Sequence, residues 1–253
     1  MRVCPVIIHL PHASVLVPPS VAEQFALTPA DLDRELILMT DRYTEELFDL
    51  DGDYIKRLIY PVSRLVVDPE RFRDDAEEPM SDRGMGAVYV KTAYGTPLRN
   101  PLAPQEREQL LRDYYDPHHT ELARLTADAL DHHRRCLILD AHSFPSNPLP
   151  CDLNQEPNRP DICIGTDPFH TPTHLVKAAV HAFERRGWSV GVDWPYSGAM
   201  VPMEFYRCDA RAIAIMIEIN RARYMDERSG EKLAGFEEFA GAFKVCVGKI
   251  VVY

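Results

Sequence analysis

Histidines and carboxylates stand where several apolar runs of this sequence break off. His12 follows "VIIHLP", Asp140, His142 and Ser143 follow "LIL", Glu218 interrupts "IMIEINR", and Asp41 follows "LILMT". Two imidazoles and one carboxylate from separate segments are enough to hold a catalytic zinc ion with its fourth position open. A further glutamate can then act as general base toward water. Histidine and carboxylate donors point to a zinc enzyme rather than a thiolate-rich structural site. A histidine at a strand end is otherwise an ordinary hydrogen-bonded structural residue. Glu218 is harder to dismiss, because an unpaired charge inside a buried strand is expensive.

"SRLVVDPERFRDD" supplies Arg64, Arg71 and Arg73. Planar guanidinium groups suit bidentate capture of a carboxylate, although each arginine has Asp68, Glu70 or Asp74 nearby for an ion pair. His118 and Glu121 stand at helical i, i+3 spacing, an arrangement read here as a solvated face rather than a metal site. His132 and His133 fit a helix C-terminus, where positive charge complements the dipole. GxSxG, GxxxxGK[ST] and HExxH are all absent. Ser143 lacks the strand-turn-helix context of a nucleophile.

The elements that must position these residues alternate between strand and helix. "CPVIIHL", "GDYIKRLIY", "SRLVVD", "CLILD", "NRPDICIGT", "WSVGVDW" and "IAIMIEINR" read as strands. "PADLDRELILMTDRYTEELFDL" has helical spacing, with Thr28 or Asp31 as its cap. "APQEREQLLRDYYDPHHTELARLTADALDHHRR" is helical with a kink or break at Pro117. "PTHLVKAAVHAFERRG" is a helix closed by Gly187, and "SGEKLAGFEEFAGAFKVCVGKIVVY" supplies a last helix. Between residues 69 and 104 lies a long irregular stretch, a length usually kept for function. This order implies an α/β fold, a single domain over 1–253 with a mixed, mostly parallel sheet flanked by helices.

The net charge of −11 argues against general affinity for nucleic acid. No run of about 18 apolar residues offers a membrane span, and the N-terminus lacks the shape of a signal peptide. The six cysteines form no CxxC pair, which fits a reducing cytoplasm. Oligomeric state is left open.

"HLPHAS", "TDRYTEELF", "PVSRLVVDPERF", "GMGAVY", "DAHSFPS", "RPDICIGT", "PYSGAMVP" and "IMIEINRARYMDE" occur in an order that resembles the N-formylglutamate amidohydrolase family, from Ile7 to about Phe239. The resemblance implies a fold similar to zinc carboxypeptidases and aspartoacylases, with one zinc ion per chain. It implies His12, Asp41 and His142 as zinc ligands, with Glu45 and Glu46 as rivals for the carboxylate place. Glu218 takes the place of the general base, and Arg64 that of an arginine facing the reacting substrate. Arg71, Tyr196, Asn220 and Arg221 are further substrate-contacting candidates, and Asp140 is a support for His142. The implied reaction is hydrolysis of a small anionic amide, first N-formyl-L-glutamate to formate and glutamate, as in histidine degradation. "DPER" and "GVDWPYSGAMVP" depart from the family pattern on substrate-contacting segments. The alternatives are a carboxypeptidase-like or N-acyl-amino-acid hydrolase of other specificity, and a metal-free binding protein on the same fold.

Overall fold

The computed structural model describes residues 4–252, so the first three residues and Tyr253 of the readings above lie outside it. Six strands form one sheet: β1 Val6–Leu10, β2 Ile55–Ile59, β3 Cys136–Phe144, β4 Ile162–Gly165, β5 Val190–Val192 and β6 Ala212–Asn220, in the order β2-β1-β3-β6-β4-β5. β2, β1, β3 and β6 run parallel, and β4 crosses to antiparallel against β6 while keeping β5 parallel to itself. The sheet is therefore mixed and mostly parallel, as the sequence implied.

Among the described residues seven α-helical segments accompany it: α1 Pro19–Ala22, α2 Pro29–Met39, α3 Thr44–Leu47, α4 Pro104–Leu110, α5 Asp116–His133, α6 Thr173–Glu184 and α7 Phe236–Val251. Side chains alternate across a strand, and this sorts the central strands cleanly. Ile8, Leu10, Leu139, Ala141, Ile217 and Ile219 join one core with residues of α6 and α7. Ile7, Ile138 and Ala214 face the opposite way, onto Leu122, Ala129 and Leu130 of α5. Farther along the strands that second face turns polar, at His9, Asp140, His142 and Glu218, all buried. Because β1, β3 and β6 are parallel, these polar residues collect at one end of the sheet.

Four local expectations change. "SRLVVD" is a turn rather than a strand, although Leu65, Val66 and Val67 are fully buried. They belong to a second core under the irregular stretch, with Met80, Met85 and Tyr89, so an apolar run signalled burial and not pairing. The helix expected from Pro29 onward stops at Met39 and resumes only at Thr44, with Tyr43 in the left-handed region at φ 67°. Thr28 is the cap, accepting from the Asp31 amide. At Pro117 the chain does not break: a π-helical turn, Leu111–Tyr115, leads from α4 into α5. A wider turn accommodates a proline that cannot donate to the preceding turn. The last helix also starts later than read, at Phe236.

Candidate active site

The break after α2 sets Asp41. Its backbone amide donates to the His12 carbonyl at 2.9 Å, tying the segment after α2 to the segment after β1. His142 and Glu218 arrive from neighbouring strands as paired residues of the β3–β6 register. The four side chains border one cavity of about 490 Å³, within the range of small-molecule sites.

Each imidazole has one nitrogen held by a carboxylate. His12 Nε2 lies 2.8 Å from Asp68 Oδ1, and Arg64 binds the other oxygen of Asp68. His142 Nε2 lies 3.1 Å from Asp140 Oδ1 and 3.2 Å from Glu70 Oε1. Asp140, offered as support for His142, is therefore in contact with it despite the i, i+2 spacing. Outer carboxylates of this kind fix the tautomer and orientation of a ligating histidine.

The opposite nitrogens converge. Asp41 Oδ2 is 3.1 Å from His142 Nδ1 and 3.7 Å from His12 Nδ1. Among the described residues His12 Nδ1 is buried without a hydrogen-bond partner. Glu70 Oε2 approaches the same atom at 4.0 Å, and His12, Glu70 and His142 have ligand atoms all within 4.8 Å of one another. Two donor sets thus share the same pair of histidines. Glu45 and Glu46 are exposed, and Glu46 pairs with Lys232, so neither belongs to this cluster.

The electrostatics call for positive charge. Burial would lower the pKa of His142, but Glu70, Asp140 and Asp41 hold it well above the usual value. Burial would raise Asp41, yet the neighbouring His12 and His142 imidazoles and the Arg221 charge hold it well below the carboxylate range. Glu218 goes the other way, pushed up to about 7 chiefly by burial, and its Oε2 is buried without a partner. A carboxylate near 7 in a cavity is tuned for proton transfer.

The remaining candidates divide. Arg221 donates to Asp41 Oδ1 at 2.8 Å and to Ser143 Oγ at 3.1 Å, so it positions Asp41. Arg64 borders the cavity, but its Nε and Nη2 bind Asp68, and it steadies His12 through that carboxylate. Arg73 is occupied with Asp116 and Glu108. Arg71 borders the cavity, and its buried Nε has no partner, Asp68 Oδ2 standing 3.6 Å away. The Tyr196 hydroxyl accepts from Arg159, and its ring packs on Phe144 at the cavity wall. Asn220 is not among the lining residues: it donates to the Pro160 carbonyl and accepts from the Ala222 amide.

Asp68, Glu70 and His9 join the neighbourhood without being marked by the sequence as site residues, and His118, read as part of a solvated face, joins them. Glu70 and Asp68 had been weighed only as ion-pair partners of arginines. His9 contacts Asp140 at 2.8 Å through Nδ1 and His118 at 2.8 Å through Nε2. This corrects the reading of His118 and Glu121 as one solvated face: His118 is buried, while Glu121 does bind Arg124 at the surface. The signal for His9 was its HxxH spacing to His12 at the end of β1.

Comparison with curated proteins finds no match. In structure the chain is similar to N-formylglutamate amidohydrolase from Ralstonia eutropha JMP134, with a TM-score of 0.86, 21% identity, and coverage of 99% of this chain and 94% of the other. It is also similar to a gene product of Agrobacterium tumefaciens, with a TM-score of 0.67, 19% identity, and coverage of 98% and 92%. The profile of the N-formylglutamate amidohydrolase family matches residues 4–225, and the chain belongs to that family.

Proposed function

We propose that this chain is a zinc-dependent amidohydrolase that cleaves N-acylated acidic amino acids, N-formyl-L-glutamate first among them. The observation that carries the metal is the buried, unpartnered Nδ1 of His12, aimed at carboxylates while Asp68 fixes Nε2. That donor set fits a zinc ion: His12, His142 and Asp41 would hold it. When bound, zinc polarises an amide carbonyl and makes water more acidic.

The chain's own groups do the rest. Glu218 takes a proton from the attacking water on its free Oε2 and returns it to the departing amine nitrogen. Asp68 and Asp140 keep the imidazoles oriented, and Arg221 keeps Asp41 ionised in place. Arg71, with its unpaired donor, holds a substrate carboxylate. The walls exclude bulk water and so strengthen these charges.

A second donor set, with Glu70 in place of Asp41, is favoured by the mutual approach of His12, Glu70 and His142. One experiment tests both. Purified protein grown with zinc should carry about one ion per chain and release formate from N-formyl-L-glutamate, with loss on chelation and recovery on zinc return. Asp41→Asn should lose the ion while Glu70→Gln keeps it; the reverse selects the second set. Folded protein that neither binds zinc nor releases formate refutes the proposal.

A further inference from the structure

The cavity is more apolar than N-formyl-L-glutamate requires. Of the eight methionines in the chain, Met39, Met80, Met85, Met200, Met203 and Met216 all border it. They come from separate packed regions: Met39, Met80 and Met85 belong to the core under the irregular stretch, and Met200 packs on the α5 side of the sheet. Phe72, 48% exposed, and Met203, 69% exposed, add apolar surface where the cavity meets solvent. Methionine is unbranched and polarizable, so such walls adapt to apolar groups of varied shape.

The wall bearing Met200 is a built feature. The Met200 amide donates to Asp140 Oδ2 at 3.0 Å, so the carboxylate that braces His142 also anchors this segment. Gly165 in β4 permits close approach of the Gly198 carbonyl, which any side chain there would strike.

The cationic complement is correspondingly small. Among the arginines that border the cavity, Arg64 is engaged with Asp68 and Arg221 with Asp41. Among the described residues Arg71 alone of the three makes no side-chain hydrogen bond. A single guanidinium held only by looser ion pairs, with Asp68 at 3.6 Å and Glu78 at 3.9 Å, matches one carboxylate. N-formyl-L-glutamate carries two carboxylates, and its formyl group offers the methionines only a hydrogen.

We infer that the same site hydrolyses N-acyl amino acids with a single carboxylate and one large apolar group, carried by either the side chain or the acyl chain. This rests on the amidohydrolase reading above. Arg71 takes the carboxylate, and the methionine walls and Phe72 cover the apolar group. Water adds across the amide C–N bond: its oxygen goes to the acyl carbon, and its protons end on the carboxylate and amine products.

Three substrates decide the matter with zinc-replete full-length protein: N-formyl-L-glutamate, N-formyl-L-methionine for the side-chain arm, and N-hexanoylglycine for the acyl arm. At least one apolar substrate should reach a kcat/KM within about tenfold of N-formyl-L-glutamate or above it, since apolar contacts are worth one to two orders of magnitude. Met203→Gln, at an exposed position that folding tolerates, should lower that value about threefold or more and shift the ratio of apolar substrate to N-formyl-L-glutamate toward N-formyl-L-glutamate; an unchanged ratio would remove Met203 from the apolar subsite. Binding of the better apolar substrate to Glu218→Gln should show a negative heat-capacity change, the mark of buried apolar surface. Both apolar substrates falling more than tenfold below N-formyl-L-glutamate would overturn the inference and leave the amidohydrolase reading standing. No turnover of any of the three by folded, zinc-loaded protein would overturn both.

Discussion

The two faces of the central sheet are built by the same strands and do opposite things. Toward α6 and α7 the strands stay apolar almost to their ends, through Leu10, Ala141 and Ile219, with Ser143 the polar exception near the end of β3. Toward α5 they begin apolar, at Ile7, Ile138 and Ala214, and end in His9, Asp140, His142 and Glu218. One face therefore carries stability throughout. The other divides its length between holding α5 and holding the chemistry. Burying so many ionisable groups is costly unless they are paired, and the mainly apolar face offsets that cost.

Substitutions can break this contrast, and the largest effect belongs to the polar half. Glu218→Gln should lower kcat on N-formyl-L-glutamate by about 10²–10⁴-fold while zinc content stays level. Its melting temperature should not fall, because the variant removes a buried carboxylate whose Oε2 has no partner. Retained turnover would remove Glu218 as the base.

On the apolar face, Leu139→Ala should destabilise the protein by about 2–5 kcal/mol, since Leu139 is fully buried. Denaturant melts would measure this. The folded fraction should keep its kcat/KM; a parallel loss of activity would mean that the two faces are not separable.

His118 sits between the two regimes, and its pKa is pushed down to about 2, first by burial and then by the charges of His9 and His119. Below the ordinary histidine value near 6.5 the unfolded chain binds a proton that the folded one refuses. Stability present above about pH 6.5 is therefore lost as pH falls toward 2, by up to about 1.4 kcal/mol per pH unit from this group. His118→Phe should flatten the slope of stability against pH between 6 and 4; an unchanged slope would assign acid sensitivity elsewhere. The smallest effect is expected at Glu121→Gln. This exposed partner of Arg124 should leave zinc content, activity and melting temperature unchanged.

What could be read from the sequence follows the same division. The polar positions were legible because apolar runs stop abruptly before His12, Asp140 and His142, although β3, read as ending at Asp140, runs on to Phe144; Glu218 was legible because it interrupts such a run. Parallel alternation of strand and helix carried the architecture. Asp68 and Glu70 were not legible as site residues, since their partners are 56 and 72 residues away at His12 and His142. The break at Thr40–Tyr43 was equally hidden: helical spacing continues through it, and tertiary hydrogen bonding overrides the local preference. Asn220, a candidate through the family resemblance alone, bonds the backbone on both sides, donating to the Pro160 carbonyl and accepting from the Ala222 amide.

The hydrogen bond from the Asp41 amide to the His12 carbonyl has a consequence for engineering. It clips together the two ends of an excursion that contains α1 and α2. Closing a longer loop costs only about 0.6 kcal/mol for each doubling of its length. The excursion has a second anchor between α1 and α2, where Phe25 is buried and forms a β-bridge with Arg99 and the Ala26 amide donates to the Leu98 carbonyl at 2.9 Å, so residues inserted there leave both donors in place only if that anchor also holds. The excursion is a doubly anchored loop, and redesign of the cavity wall that begins at Leu38 and Met39 has to keep both anchors.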